Sequence, residues 1–352
     1  MANRRSFIAG CFAAGLAPKT SWADVGDPAF LSAGMTRGGS YVLCGLTSDG
    51  QIAFQRPLPS RGHAAAAQPK RAEAVAFARR PGTFAIVLDC ATGLENARLT
   101  APPGQHFYGH GAFSADGDLL FTTENDFEAA KGIIGVWDTR NGYKRIGEFA
   151  SGGIGPHDIK MMPDGKMLVI ANGGVETHPE TGRSKLNIPT MWPNLTYLDL
   201  DGQIADQVEL DAEFRKNSIR HLAVAHDGTV AFAMQWQGDV SDRVPLLGTH
   251  KRGFGWRVSN ASDFEGMQGY LGSIAASGRR LAVTSPRGGA LLEFDAHELT
   301  LRRQYEIEDV CGVAPAHNGF TCTTGLGVVM APSGSNPQKP HSIRWDNHLV
   351  AI

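Results

Sequence analysis

Short β-rich runs closed by Asp-Gly or Asn-Gly turns, recurrence of those runs at the spacing of propeller blades, and a C-terminal stretch matching the repeat predict an all-β fold. Together they specify a seven-bladed β-propeller closed by pairing the C-terminal strand with the N-terminal blade. The chain has 352 residues, 42% apolar and 19% charged, a composition that builds a folded core rather than a disordered chain. Its 43 glycines and 19 prolines make up about 18% of residues against a usual share of about 12%, so turns are frequent and strands short. Helical periodicity of useful length is missing, and beyond the N-terminus no apolar run approaches the roughly 18 residues of a membrane span.

The first 23 residues read as a leader. Asn3-Arg4-Arg5-Ser6-Phe7-Ile8 has the form of a twin-arginine export motif, an apolar stretch runs from Phe7 to Ala17, and Ser21-Trp22-Ala23 places small residues where a signal peptidase cuts. We expect a signal peptide over 1–23, a propeller over 24–352 and a periplasmic protein. A lipobox-like Ile8-Ala9-Gly10-Cys11 is also present, with too little apolar sequence ahead of it. Losing Arg4, Arg5 and Lys19 takes the formal charge from −2 to −5, which argues against nucleic acid or an anionic membrane as partner.

Along the rest of the chain, a small residue or histidine is followed seven or eight positions later by a turn glycine and then an apolar strand. His110-Gly-Ala-Phe-Ser-Ala-Asp116-Gly117 precedes Leu119–Glu124, His157 to Gly165 precedes Met167–Asn172, and His221 to Gly228 precedes Val230–Gln235. Looser copies begin at His63, Leu271 and Cys311. A second hairpin with an Asp-containing turn follows most of them, as in Phe84–Asp89, Ile134–Asp138, Thr196–Asp201 and Leu292–Asp295, so each copy supplies a four-stranded blade. Phe30 to Leu58 has the character of later strands and lacks a first one. Asn347-His348-Leu-Val-Ala-Ile352 resembles Arg220-His221-Leu-Ala-Val-Ala225, so the last residues are expected to supply that innermost strand and close the ring. Six or eight blades, or an array of β-sandwiches, are the alternatives.

The first strand of each blade lines the central channel, so equivalent positions on it surround one axis. Four of these positions carry histidine, His63, His110, His157 and His221, and closure adds His348. Neutral imidazole suits iron, copper, zinc or nickel, and a periplasmic setting favours an iron or copper ion. Alternatively the rings are hydrogen-bonded channel residues, or, if protonated, they bind an anion. The 64-residue spacing after His157 reflects an insertion, Asn172 to Pro193, that we expect to fold over one channel mouth, bringing Glu176, His178 and Arg183 near the axis as ligand-binding residues.

Other chemistries lack support. No P-loop or dinucleotide fingerprint occurs, so no nucleotide is expected, and Gly152-Gly153-Ile154-Gly155 stands outside a strand-to-helix context. Cys44, Cys90, Cys311 and Cys322 have no CxxC spacing, so covalent haem is not expected, while one disulfide of unassigned pairing is compatible with the periplasm. No nucleophile elbow is present, and catalytic residues are unassigned. A metal-assisted lactonase or esterase would need a carboxylate such as Glu176 or Glu124 beside the metal. A metal-free interaction scaffold is the other alternative.

The twin-arginine start, His106-Phe-Tyr-Gly-His-Gly-Ala-Phe-Ser, Thr122-Thr-Glu-Asn-Asp126, Gly155-Pro-His-Asp158 and above all Gly173-Gly-Val-Glu-Thr-His-Pro-Glu-Thr-Gly-Arg-Ser-Lys-Leu-Asn187 resemble an uncharacterised family of exported bacterial proteins. The resemblance spans nearly the whole mature chain. It implies a periplasmic role linked to iron acquisition, because members are typically encoded near imelysin-type iron-uptake proteins, which become candidate partners. It transfers no catalytic residue.

Overall fold

The computed structural model describes residues 20–79, 83–182, 184–334 and 338–352. The twin-arginine motif, Cys11 and Arg183 lie outside the described residues. Seven antiparallel sheets follow one another around a ring, making a seven-bladed β-propeller. Among the described residues the only helical segments are 3₁₀ turns of three or four residues. Among the described residues no helix is long and apolar enough to cross a membrane.

Blades 2 to 7 each run in sequence from an inner to an outer strand. Their inner strands are Gly62–Ala67, Gln105–Phe113, Pro156–Met161, Asn217–Val224, Ser273–Ser277 and Val310–Ala316. Blade 1 is the composite one. Phe30–Thr36, Tyr41–Leu46 and Ile52–Leu58 form its outer three strands, and the C-terminus provides the inner one. The expected pairing of the chain ends is therefore present, with one difference in detail. The inner strand is two short pieces: Ile343–Trp345 opposite Gly34–Thr36, and Val350–Ala351 opposite Phe30 and Leu31. His348 sits in the gap between them. Every blade thereby gains a full complement of strands, and no edge is left at the seam.

Strand composition follows position in the blade. Inner strands crowd together near the axis and use small residues, as in the Ala64–Ala67 run and Ala275–Ala276. Second and third strands are covered on both faces and read as continuous apolar runs, such as Leu168-Val-Ile-Ala171. Outermost strands, with one wet face, alternate, as in the exposed and half-buried positions of Ile204–Glu209. The core is correspondingly divided into seven apolar clusters, one per interface between blades. Leu31, Leu43 and Phe54 meet Ile86 and Leu88 between blades 1 and 2, whereas Phe30, Val42 and Cys44 meet Ala314 and Val329 across the seam. Cys44, Cys90, Cys311 and Cys322 are all free and buried, and burial pushes each thiol up to about 12. No disulfide is present among the described residues.

Candidate metal centre

The inner strands begin at one rim of the ring, and there their ladders break. The register against the second strand shifts between Gly62 and Ala65 in blade 2, Phe107 and Gly111 in blade 3, Pro156 and Asp158 in blade 4, and Ile219 and His221 in blade 5. A bulge inserts unpaired residues and re-aims a side chain. In each case the irregularity includes or adjoins the histidine, turning His63, His110, His157 and His221 into the channel. His348 reaches the same level from the break in blade 1.

Five consecutive blades thus deliver five imidazoles to one axis. Ring centroids are 4.5 Å apart for His63 and His348, 4.8 Å for His110 and His348 and for His157 and His221, 4.9 Å for His221 and His348, and 5.0 Å for His63 and His110 and for His110 and His157. Two triads, His63/His110/His348 and His110/His157/His221, hold one donor atom of each member within 4.8 Å of the others. Two nitrogens about 2.0–2.1 Å from a shared tetrahedral ion stand roughly 3.3 Å apart, so small ring rotations close either set. His110 belongs to both. Of the two remaining blades, blade 7 brings Gly312 against His348. Gly312 is required there, since an added Cβ would stand 2.3 Å from Leu349 N and 2.6 Å from the His348 carbonyl carbon. Gly109, at φ +104°, has the same function beside His63, whose Cδ2 would lie 2.6 Å from its Cβ.

The surroundings fix which nitrogen faces the axis. His110 Nδ1 lies 3.2 Å from Asp158 Oδ1, and His110 Nε2 is buried without a hydrogen-bond partner. A carboxylate on the far nitrogen is how metal-binding histidines are held in tautomer and orientation. His157 Nδ1 lies 3.0 Å from the Arg220 carbonyl oxygen, the backbone version of the same device. His221 Nδ1 and His348 Nε2 are also buried without a partner, which is costly for a polar atom unless a ligand completes it. Asp158 accepts in addition from Leu222 N at 2.9 Å, Ile159 N at 2.8 Å and Lys160 Nζ at 3.0 Å. Burial alone would raise its pKa, but Lys160 and His110 override this and keep it an anion well below the usual carboxylate range.

Charge state favours ligation. Burial, with Arg220 and the neighbouring rings adding to it, holds His157 well below the ordinary imidazole value. Burial brings His221 down to about 3 and His348 well below normal. Neutral rings expose a lone pair, the form in which histidine binds metal. The channel continues beneath them as a cavity of about 260 Å³ lined by His110, His221, His348, Asp158 and Lys160.

The insertion does pack at the histidine-bearing rim, since Gly173 N donates to Gly155 O and Gly174 N to Ile154 O. The side chain of His178 turns away from the ring. His178 stands edge-on to Phe127 at 5.0 Å and 3.7 Å from Glu128 on the rim of blade 3, and its Nδ1 accepts from Glu180 N. Glu176 is half-buried, its N–H donating to Asn187 Oδ1. His106 and Asn125 support the loop: Asn125 Nδ2 donates to Thr177 O at 3.1 Å and approaches His106 Nε2 at 3.3 Å. Glu124 is fully buried, with Arg145 at 2.8 and 2.9 Å on its two oxygens and Thr122 on one. Its carboxylate is consumed inside blade 3. Sequence reading missed Asp158, Lys160 and Arg220, although Asp158 and Arg220 directly adjoin ring histidines in the chain.

This arrangement defines a β-propeller whose channel is plugged by an imidazole cluster able to hold a metal ion. The chain belongs to the family described as a protein of unknown function, DUF1513, which it matches over residues 56–352. Comparison with curated proteins finds no match. Among solved structures, hydrazine synthase of Kuenenia stuttgartiensis is similar, with 14% identity, a TM-score of 0.63, and coverage of 96% of this chain and 98% of that one. A likeness at that identity concerns the fold alone.

Proposed function

We propose that this propeller binds a transition-metal ion, iron or copper, or a complex of one, at the five-histidine cluster, and that it does so in the periplasm as part of iron acquisition. The observation that carries the reading is the convergence of His63, His110, His157, His221 and His348 on one axis, with ring nitrogens of His110, His221 and His348 buried and unpartnered. Hydrogen-bonded channel lining would leave no such nitrogens. The leader supports the location, and the resemblance to proteins encoded beside imelysin-type iron-uptake proteins supports the process and those proteins as partners. Asp158 orients His110, the Arg220 carbonyl orients His157, and burial keeps His157, His221 and His348 neutral.

The test is elemental analysis of protein purified from the periplasmic fraction, beside a variant with His110, His157 and His221 changed to Ala. Stoichiometric iron or copper that is lost in the folded variant is the expected result. Metal absent from both proteins, with no uptake from added iron or copper salts, would leave the interaction-scaffold reading in its place.

A further inference from the structure

The bore of the propeller beneath the histidines is hollow. Its cavity of about 260 Å³ is far larger than the roughly 10–15 Å³ that one water needs. Three of the five ring histidines, His110, His221 and His348, line it, and each has a ring nitrogen buried without a hydrogen-bond partner. Either histidine triad would thus hold an ion with two of its three ligands on the cavity wall. The same wall carries Asp158 and Lys160, whose charges offset each other at 3.0 Å.

The cavity leads outward. Val224, Ala276 and Pro315, at or next to the last residues of the inner strands of blades 5, 6 and 7, line it and also line a cleft of about 700 Å³ at the opposite rim. Val224 and Ala276 are half-buried and Pro315 is exposed, so this neck reaches solvent. Its side chains are small or rigid and apolar, and a species that sheds little hydration passes such a neck at least cost. At the histidine-bearing rim, by contrast, the insertion is tied to the neighbouring blades. Ser218 Oγ donates to Gly173 O at 2.7 Å, Asn125 Nδ2 donates to Thr177 O at 3.1 Å, and Val175 and Met191 are buried. A cavity of about 310 Å³ at that rim reaches Gly62 and Asn347, each next to a ring histidine in the chain, but none of the five histidines themselves.

Resting on the metal reading above, we propose that the bound ion keeps an exchangeable coordination position on its channel side, filled by a small, weakly hydrated Lewis base that enters from the rim opposite the histidines. Three histidine donors with a fourth position left to water or ligand is the arrangement of an open metal site. The cleft between blades 5 and 6 is then the vestibule of the centre, and Val224, Ala276 and Pro315 set the size of what passes.

Azide is the probe, because its coordination to Cu(II) gives a charge-transfer band that stopped-flow absorbance can follow. Ala276→Cys and Pro315→Cys variants would be folded, loaded with Cu(II) and then labelled with a bulky maleimide, beside a Leu186→Cys variant labelled at the exposed insertion. Cys44, Cys90, Cys311 and Cys322 are buried, so the label goes to the introduced thiol. Expected are an azide band in the parent, equal copper contents before and after labelling, and azide binding slowed at least about tenfold by the label at position 276 or 315 but within twofold of the parent with the label at 186. Copper retained with no azide band, a rate unchanged by either neck label, or a rate slowed as much by the label at 186 would overturn the inference and leave the metal reading standing. Failure of the parent to take up copper would overturn the metal reading, and the ligand position with it.

Discussion

Changing Asp158 to Asn keeps the shape of the side chain and removes its charge, isolating what the carboxylate does for the histidine ring. Asp158 receives His110 Nδ1 at 3.2 Å on one oxygen and Leu222 N at 2.9 Å on the other. An amide has one oxygen. If that oxygen faces His110, the NH₂ meets the Leu222 N–H, a donor–donor conflict inside the protein that costs about 1–3 kcal/mol of stability. If it faces Leu222, the NH₂ replaces the oxygen that accepts from His110, Ile159 N and Lys160 Nζ, so a donor–donor conflict remains, His110 loses its acceptor, and the proton moves to Nε2, the atom that must ligate. Loss of such a supporting carboxylate typically lowers metal affinity 10–100-fold, or about 1.4–2.7 kcal/mol. Competition against a chromophoric chelator measures the affinity, and thermal unfolding of the metal-free protein measures the stability that either arrangement costs. A folded Asp158→Asn protein with metal affinity within twofold of the parent would refute the assignment of His110 as a ligand.

Three further outcomes follow. His157, His221 and His348 stay neutral when folded but titrate near 6.5 when unfolded, so the unfolded chain takes up protons first and the stability of the metal-free protein falls as pH drops below about 6.5. For His221, whose folded value is about 3, the loss reaches roughly 4 kcal/mol at pH 3, and denaturant midpoints at pH 7.5 and 5.0 would show a shallower fall in His221→Gln, an unchanged slope contradicting it. Gly312→Ala drives a Cβ to 2.3 Å from Leu349 N, so the C-terminal strand loosens, stability drops by several kcal/mol, and carboxypeptidase shortens the chain faster than it shortens the parent. Cys44, Cys90, Cys311 and Cys322 are buried with thiols pushed up to about 12, so a thiol reagent labels none of them before unfolding and all of them after it.

The fold was legible because its signals are local and repeated. The second strands of blades 3 to 7 each follow a turn glycine, Gly117, Gly165, Gly228, Gly278 or Gly319, and the observed strands begin within a residue or two of the runs read from the sequence. Closure by the C-terminus was legible from one likeness, His348 to His221. The break of that strand into two pieces around His348 was not, because it depends on the close approach of Gly312 from another blade. Five ring histidines could be read from their shared repeat position. Asp158 and Arg220 could not, since each acts across a blade boundary, Asp158 on His110 and Arg220 on His157. Position in the repeat names a direction toward the axis but says nothing of a neighbour's bulge. The insertion's place at the mouth was likewise foreseeable from the strand it leaves, whereas His178 follows Phe127 outward to blade 3, a contact between two loops of different blades.

The central claim is that these imidazoles hold a metal, and anomalous diffraction tests it most directly. Crystals of the protein soaked in Cu(II) and measured on both sides of the copper edge should give one strong peak on the channel axis, with His110 and members of at least one triad at bonding distance. A peak elsewhere on the surface with the axis empty, or no peak in crystals shown by fluorescence to contain copper, would contradict the account.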